Sequence, residues 1–287
     1  NDDQGSTAMN TRKLKRTLVS VLLFLALVLI SIFMLLPFVW MVSTSFKLPQ
    51  DVFGFPPILW SERSTAINYI YLIVEKNLLL ITWNTFFVSF AATILSLFFC
   101  SLGGYGFAKY RFPGRMGLFS LLLASMVIPG AVMMVPSFVL MREFGWVNTF
   151  LPLIIPGAAN AFGIFFMRQY ISSINDELLD AARIDGSSEF GIYARIVVPI
   201  ISPGLVSLGL IFFMGSWNNY LGPLIYLKSP DLFTIPLAIA SFGGAVGLTN
   251  YNAQMAMSVI SIIPLLVIFL AFQRRFVEGI TAGAVKG

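Results

Sequence analysis

The chain has 287 residues, of which 57% are hydrophobic and 11% are charged, and its mean hydropathy is +0.86. Soluble globular proteins carry about 25% charged residues, so this composition excludes an ordinary soluble enzyme and indicates a membrane protein. The sequence contains no histidine, which excludes histidine-based catalysis and histidine metal ligation. Its single cysteine, Cys100, lies within an apolar run and is expected to be a small buried hydrophobe.

Six segments are long and apolar enough to cross a bilayer, which takes about 20 residues of helix. None has a charged residue in its middle, and in chain order they are 17–42, 84–108, 116–141, 150–167, 200–227 and 253–272. The first is longer than a signal-peptide core and no small-residue cleavage pattern follows it, so we interpret it as a retained anchor. These segments predict an all-α membrane protein with six transmembrane helices.

The six segments predict one membrane domain over 17–273, between an N-terminal tail (1–16) and a C-terminal tail (274–287). Residues 1–8 precede Met9, and we interpret them as a cloning remnant or an upstream extension. Alternating the loops across the bilayer places 13 of the 18 Lys and Arg residues on the side that holds both tails. The positive-inside rule therefore predicts that both tails are cytoplasmic. A net charge of +5 could suggest nucleic-acid binding, but the topology already explains it, and no other feature of the sequence supports such binding.

The predicted cytoplasmic loop 168–199 differs from the other loops because it is long and its acids outnumber its bases. It is predicted to form a helix–turn–helix. Asn175 caps a first helix over 176–184, Asp185-Gly186 breaks it, and Ser187 or Ser188 caps a second helix that stops near Pro199. Apolar residues at helical spacing are Leu178, Ala181, Ala182 and Ile184 in the first helix and Phe190, Tyr193, Ala194 and Val197 in the second. An amphipathic pair without its own core predicts a partner surface.

This loop resembles the EAA consensus of ATP-binding-cassette importer permeases, in which EAA is followed by three residues, Gly, nine residues, and I-x-L-P. The matching residues are Asp180-Ala181-Ala182, Gly186, Ile196 and, with Val198 in place of the usual Leu, Pro199. Asp180 replaces the usual Glu. The segment Trp217-Asn218-Asn219-Tyr220-Leu221-Gly222-Pro223 and the chain end 276–287 resemble the smaller subunit of maltose-type sugar permeases.

The resemblance implies an importer assembled from this chain, a second permease subunit, two cytoplasmic ATPase subunits and an extracytoplasmic substrate-binding protein in the bacterial inner membrane. It implies that ATP and Mg bind to the ATPase subunits, and that this chain, which has no phosphate-binding Walker sequence, is not an enzyme and binds no cofactor or metal. The loop would insert into a cleft on one ATPase and couple its closure to alternating access. The coupling residues implied are Asp180, Ala181, Ala182, Asp185, Gly186, Ser187, Ser188, Ile196 and Pro199.

Polar residues in or near the fifth segment are candidates for the substrate path: Trp217, Asn218, Asn219 and Tyr220. Unpaired amides are costly in lipid, so these groups either contact sugar along a water-filled path or fix the bundle through interhelical hydrogen bonds, and both interpretations stay open. Helix packing is favoured for Asn84, Asn160 and the glycines Gly103, Gly104 and Gly106.

Two other functional classes remain alternatives: a secondary transporter and a permease for a non-sugar solute. A proton- or sodium-coupled transporter favours ionisable residues within its spans, and the six segments lack them. A membrane-embedded enzyme is disfavoured because histidine and intramembrane acids are missing.

Overall fold

The computed structural model describes residues 3–243 and 250–284, with side chains described over 16–243 and 250–273. Every regular element in these ranges is helical. Three helices there are long and apolar enough to cross a membrane, namely Arg16–Ser45, Leu78–Lys109 and Tyr251–Gln273, and the count reaches five if two sharply bent helix pairs each form one span. The all-helical architecture and these spans support the prediction of a membrane protein.

The helices follow one another along the chain. They are α1 (Asp3–Ser45), α2 (Pro49–Val52), α3 (Ile67–Val74), α4 (Leu78–Lys109), α5 (Arg115–Ser125), α6 (Met134–Glu143), α7 (Leu151–Ile154), α8 (Ala161–Ile171), α9 (Asp176–Ile184), α10 (Glu189–Ile192), a π-helical turn (Tyr193–Val197), α11 (Val198–Ile200), α12 (Ser202–Trp217), α13 (Leu221–Tyr226), a 3-10 turn (Pro230–Leu232), α14 (Ile235–Ser241) and α15 (Tyr251–Ala284).

The chain divides into two compact units. The first consists of 1–71 with 250–259, and in it the apolar side chains of α1 are exposed from residue 16 to residue 40, as a lipid-facing helix requires. Where α1 ends, two buried amides satisfy its terminal carbonyls: Asn68 Nδ2 donates to Ser45 O at 2.8 Å, and Asn252 Nδ2 donates to Thr44 O at 3.3 Å. Both amides also donate to the carbonyl of Lys47.

The second unit consists of 72–249 with 260–287, and it is built around α4. This helix packs along α8 and α12, and small residues set the α4–α8 crossing. A Cβ added at Gly163 would lie 2.6 Å from the sulfur of Cys100, which is fully buried as the sequence predicted. The predicted close approach of another helix is also confirmed at Gly104 and Gly103, which lie against α8. A Cβ at Gly106, by contrast, would meet no described atom within 4 Å.

Three of the six predicted segments are interrupted rather than continuous. The third is divided into α5 and α6, whose axes bend by 100° at a break that contains Pro129 and Gly130. The fourth is divided into the four-residue α7 and the eleven-residue α8, with Pro156 in the connection. The fifth begins at a 79° bend between Glu189–Ile200 and Ser202–Trp217 and is divided into α12 and α13 by residues 218–220. Proline lacks an N–H and disfavours helix in the residue before it, so the proline-rich breaks replace continuous helix.

The other predicted segments form longer helices than expected. The second begins six residues earlier, at Leu78, and the sixth continues as α15 to Ala284, beyond its predicted end at residue 272. No Gly or Pro stands between residues 265 and 278, so nothing in the sequence stops the helix there. The end of the predicted C-terminal tail, 285–287, lies outside the described residues, as does 244–249, between the fifth and sixth predicted segments.

Candidate functional site: the 168–199 loop

The first helix of the loop forms where the sequence predicted it. α9 covers Asp176–Ile184, and Asn175 caps it by accepting a hydrogen bond from the backbone N–H of Glu177 at 3.1 Å. Acids occupy its first turn and Arg183 its last turn, which suits the helix dipole at both ends. These local signals were sufficient because a cap and its helix are neighbours in sequence.

The turn after α9 depends on Gly186, whose φ is +80°. Two backbone hydrogen bonds close the helix end: Gly186 N–H donates to Arg183 O and Ser187 N–H donates to Ala182 O, each at 3.0 Å. This pairing is the Schellman motif, which places its left-handed residue one position after the cap. Glycine adopts that conformation without a steric penalty, so the predicted break at Asp185-Gly186 is confirmed.

The second helix begins after Ser188, whose Oγ accepts a hydrogen bond from Gly191 N–H at 3.2 Å. Of the two predicted caps, Ser188 is therefore the one used. The expected stop near Pro199 is confirmed, because helical structure ends at Ile200, one residue after the proline. The widened π-helical turn Tyr193–Val197 ends two residues before Pro199. An ordinary α-helical turn there would bring the proline ring against the carbonyl four residues earlier.

The apolar residues of the two helices divide into an inward and an outward group, whereas the sequence predicted one apolar face on each helix. Ala182, Tyr193 and Val197 are buried in the core of the second unit together with Leu179 and Ile192. The outward group consists of Leu178, Ala181, Ile184, Phe190 and Ala194. Two of its members stand out as large side chains in the open, since Ile184 is 86% exposed and Phe190 is 63% exposed.

Five charged side chains connect the loop to itself and to the end of α4. Arg183 donates to Asp180 Oδ1 at 2.6 Å and, through Nε, to Glu189 Oε1 at 2.8 Å. Lys109 Nζ donates to Asp176 Oδ1 at 2.5 Å. The hydrogen bond from Arg183, followed by one from Tyr110, lowers the pKa of Glu189, and the hydrogen bond from Lys109 lowers the pKa of Asp176. Both carboxylates are therefore held in the ionised form.

The coupling residues implied by the resemblance fall into two places. Six of them are exposed at the tip of the hairpin formed by α9 and the second helix: Asp180, Ala181, Asp185, Gly186, Ser187 and Ser188. Ala182 is buried beneath this tip, and Ile196 and Pro199 lie on the second helix, half-buried and exposed respectively. The sequence analysis did not single out Arg183, Glu189 and Tyr110. The one available signal was that Glu189 is an acid in the first turn of the second helix.

The four residues proposed for the substrate path do not share one environment. Trp217 is 1% exposed, stacks on Phe213 with ring centroids 5.5 Å apart, and donates from Nε1 to Ser261 O at 3.2 Å. Asn219 is half-buried, and its Oδ1 accepts from Gly222 N–H. Asn218 and Tyr220 are exposed.

The two other intramembrane amides make structural hydrogen bonds. Asn84 Nδ2 donates to Asp231 O at 2.7 Å and Phe233 O at 3.2 Å, which attaches α4 to the segment before α14. Asn160 caps α8 through Gly163 N–H. Within the described residues, no group of three or more Cys, Asp or Glu side chains could hold a metal ion.

Comparison with known proteins identifies the family. Residues 101–282 match the family described as "Binding-protein-dependent transport system inner membrane component". The chain is 36% identical to the arabinooligosaccharides transport system permease protein AraQ of Halalkalibacterium halodurans, over 94% of this chain and 98% of that protein. It is 33% identical to the lactose transport system permease protein LacG of Rhizobium radiobacter, over 95% and 98% of the two chains.

The fold also matches a solved structure. A chain from a bacterial ABC transporter involved in the import of the acidic polysaccharide alginate superposes with a TM-score of 0.81 and 22% identity, over 91% of this chain and 97% of that one. A second match, to the alginate transporter in complex with its alginate pentasaccharide-bound periplasmic protein, has a TM-score of 0.65. The sequence matches, together with this architecture, establish that the chain belongs to the binding-protein-dependent transport system inner membrane components.

Proposed function

We propose that this chain is the permease subunit of an ATP-driven, binding-protein-dependent importer for a sugar or oligosaccharide. The proposal rests on family membership together with a hairpin that exposes the large apolar side chains Leu178, Ile184 and Phe190. The relatives named above transport arabinooligosaccharides and lactose, which supports a carbohydrate substrate. The spans lack charges in their middles, which favours a neutral sugar.

In this proposal the chain forms six transmembrane helices in the bacterial inner membrane, with both termini and the 168–199 loop in the cytoplasm. It works with a second permease subunit, two ATPase subunits and an extracytoplasmic binding protein. ATP and Mg bind to the ATPase subunits, and this chain catalyses no reaction itself. Tyr220 and Asn218, exposed at the end of α12, are the candidates for direct contact with the sugar, whereas Trp217 serves the packing of its helix.

The 168–199 loop is proposed as the ATPase-docking element. Leu178, Ile184 and Phe190 are large apolar side chains left uncovered on its hairpin, and a partner surface would remove them from water. At about 25 cal/mol per Å² of apolar area, burying such side chains stabilises association. Asp180 and Asp185 add carboxylates beside this apolar surface that basic or amide groups of the ATPase could bind.

The test is co-expression of the chain with its partner permease and ATPase subunits, purification through a tag on this chain, and reconstitution into liposomes. The ATPase subunits should copurify, and ATP hydrolysis should rise when binding protein and an arabinooligosaccharide or another candidate sugar are added. Sugar uptake that proceeds without ATPase subunits and collapses with a proton or sodium gradient would instead establish a secondary transporter.

A further inference from the structure

We propose that Glu189 is a positioning residue that fixes the hairpin to the end of α4, so that the hairpin and α4 move as one body. The inference rests on the proposed function, because it explains how a movement of the docked hairpin reaches the membrane-spanning helices. Glu189 lies outside the EAA consensus positions and makes its contacts within this chain. Its effect on transport is therefore exerted through the helices that it joins.

One carboxylate joins three elements. Glu189 lies in the first turn of α10, and its Oε1 accepts from Arg183 Nε, in the last turn of α9, at 2.8 Å. Its Oε2 accepts from the hydroxyl of Tyr110, which directly follows α4, at 2.5 Å and from that of Tyr105, within α4, at 3.5 Å. The two helices of the hairpin and the end of α4 thus meet at a single side chain.

The partners of Glu189 are themselves packed together. The Tyr105 ring contacts the rings of Tyr110 and Tyr193, with centroids 5.5 Å and 5.6 Å apart. The hydroxyl of Tyr193 forms a hydrogen bond with Ser101 of α4 at 2.6 Å. An isolated exposed ion pair contributes little, but a carboxylate shared among a guanidinium and two phenols forms a network in which each contact restricts the others.

A second connection lies at the other end of the hairpin. Lys109, the last residue of α4, donates to the Asp176 carboxylate and to the Ile174 carbonyl, both at 2.5 Å. The start of α9 and the start of α10 are therefore each attached to the end of α4, while the tip at Ile184 projects freely. Two attachment points prevent rotation about either one, and α4 in turn packs along α8 and α12. A displacement of the tip is therefore transmitted to α4, and from α4 to α8 and α12.

The experiment compares Glu189→Ala with the matched control Glu177→Ala, which removes an exposed acid of α9 that contacts only Asn175 among the described hydrogen bonds. Both complexes are purified and reconstituted, and sugar uptake per ATP hydrolysed is measured. Glu189→Ala should lower this ratio about fivefold while the ATPase subunits copurify as in the wild type. Glu177→Ala should leave the ratio unchanged.

A rescue separates positioning from direct contact with the ATPase. In a Cys100→Ala background, Tyr110→Cys with Glu189→Cys allows a short bifunctional thiol reagent with a cleavable disulfide to restore the connection. Uptake per ATP should recover on cross-linking and fall again on reduction. Wild-type coupling in Glu189→Ala, loss of ATPase copurification in that variant, or failure of the cross-link to restore coupling would each overturn the inference. If the wild-type complex itself fails to bind ATPase subunits, the proposed function is wrong.

Discussion

Gly104 on α4 lies directly against the backbone of α8 at Met167. A Cβ added at Gly104 would stand 2.6 Å from the Cβ of Met167 and 2.8 Å from the backbone nitrogen of Arg168. Backbone atoms cannot rotate out of the way, so even a methyl group would separate the two helices.

We therefore expect Gly104→Ala to destabilise the purified protein by about 1–3 kcal/mol through overpacking. Gly106→Ala, two residues away on the same helix, is the matched control, because its Cβ would meet nothing within 4 Å. Alanine favours helix over glycine by about 0.5–1 kcal/mol, so Gly106→Ala should be neutral or stabilising. Thermal stability in detergent, followed by size-exclusion chromatography, measures both, and equal stability of the two variants would contradict the close-packed crossing.

Substitutions at Gly186 should be limited first by the backbone conformation that the new residue must adopt, and second by the size of its side chain. A residue other than glycine at its φ of +80° incurs about 1–2 kcal/mol of strain, with Asn the best tolerated. Among the described residues, none has an atom within 4 Å of a Cβ placed there, so a side chain at residue 186 starts in open space. We expect Gly186→Asn to retain sugar-stimulated ATP hydrolysis and Gly186→Trp to abolish it, with membrane insertion intact in both.

The control for bulk is Ser241→Trp, at the exposed end of α14, which should leave ATPase docking intact. Wild-type stimulation and full ATPase recovery with Gly186→Trp would reject the hairpin as the coupling element. Loss of membrane insertion in that variant would instead show that Gly186 is needed for folding.

Substitutions of Trp217 and Tyr220 should cause different kinds of defect. Trp217→Phe removes the indole hydrogen bond to Ser261 O within a buried site, so we expect lower thermal stability with little change in the sugar concentration for half-maximal uptake. Tyr220→Ala removes an exposed ring and should raise that concentration without loss of stability. The opposite pattern would place Trp217, not Tyr220, on the substrate path.

The contacts of the hairpin with α4 should weaken in acid. The pKa values of Glu189 and Asp176 are lowered by their partners, so the stabilisation is fully present above the ordinary carboxyl pKa and is lost as the pH falls through the lowered values. A spin label at Ile184→Cys, in a Cys100→Ala background, should become more mobile as the pH is lowered from neutral through the depressed pKa values of Glu189 and Asp176. The same label should already be mobile at neutral pH when Glu189→Gln is added, and identical spectra for both proteins would contradict the role of Glu189.

The predicted topology can be tested by single-cysteine labelling in intact cells on the Cys100→Ala background. Cysteines at Ile184 and Asp185 should react only after the membrane is permeabilised, whereas one at Lys228 should react from outside. An externally reactive residue within 168–199 would contradict both the orientation and the proposed ATPase docking.

The sequence by itself determined the features that depend on neighbouring residues. Composition and apolar length indicated a membrane protein, because crossing hydrocarbon demands consecutive apolar residues. The limits of α9, its cap at Asn175 and its stop at Gly186 were predictable because each signal lies within a few residues of the backbone groups that it satisfies.

Only the tertiary structure decided which side of each helix faces the core and which distant residues meet. Leu179 is buried and Ile184 exposed although both are apolar residues of α9, because burial depends on where α4 and α8 pass. Glu189 and Tyr110 are 79 residues apart, and no local periodicity signals their contact. Distant pairs of this kind form when packed helices bring them together, and that packing is set by side-chain fit across the whole fold rather than by any single segment.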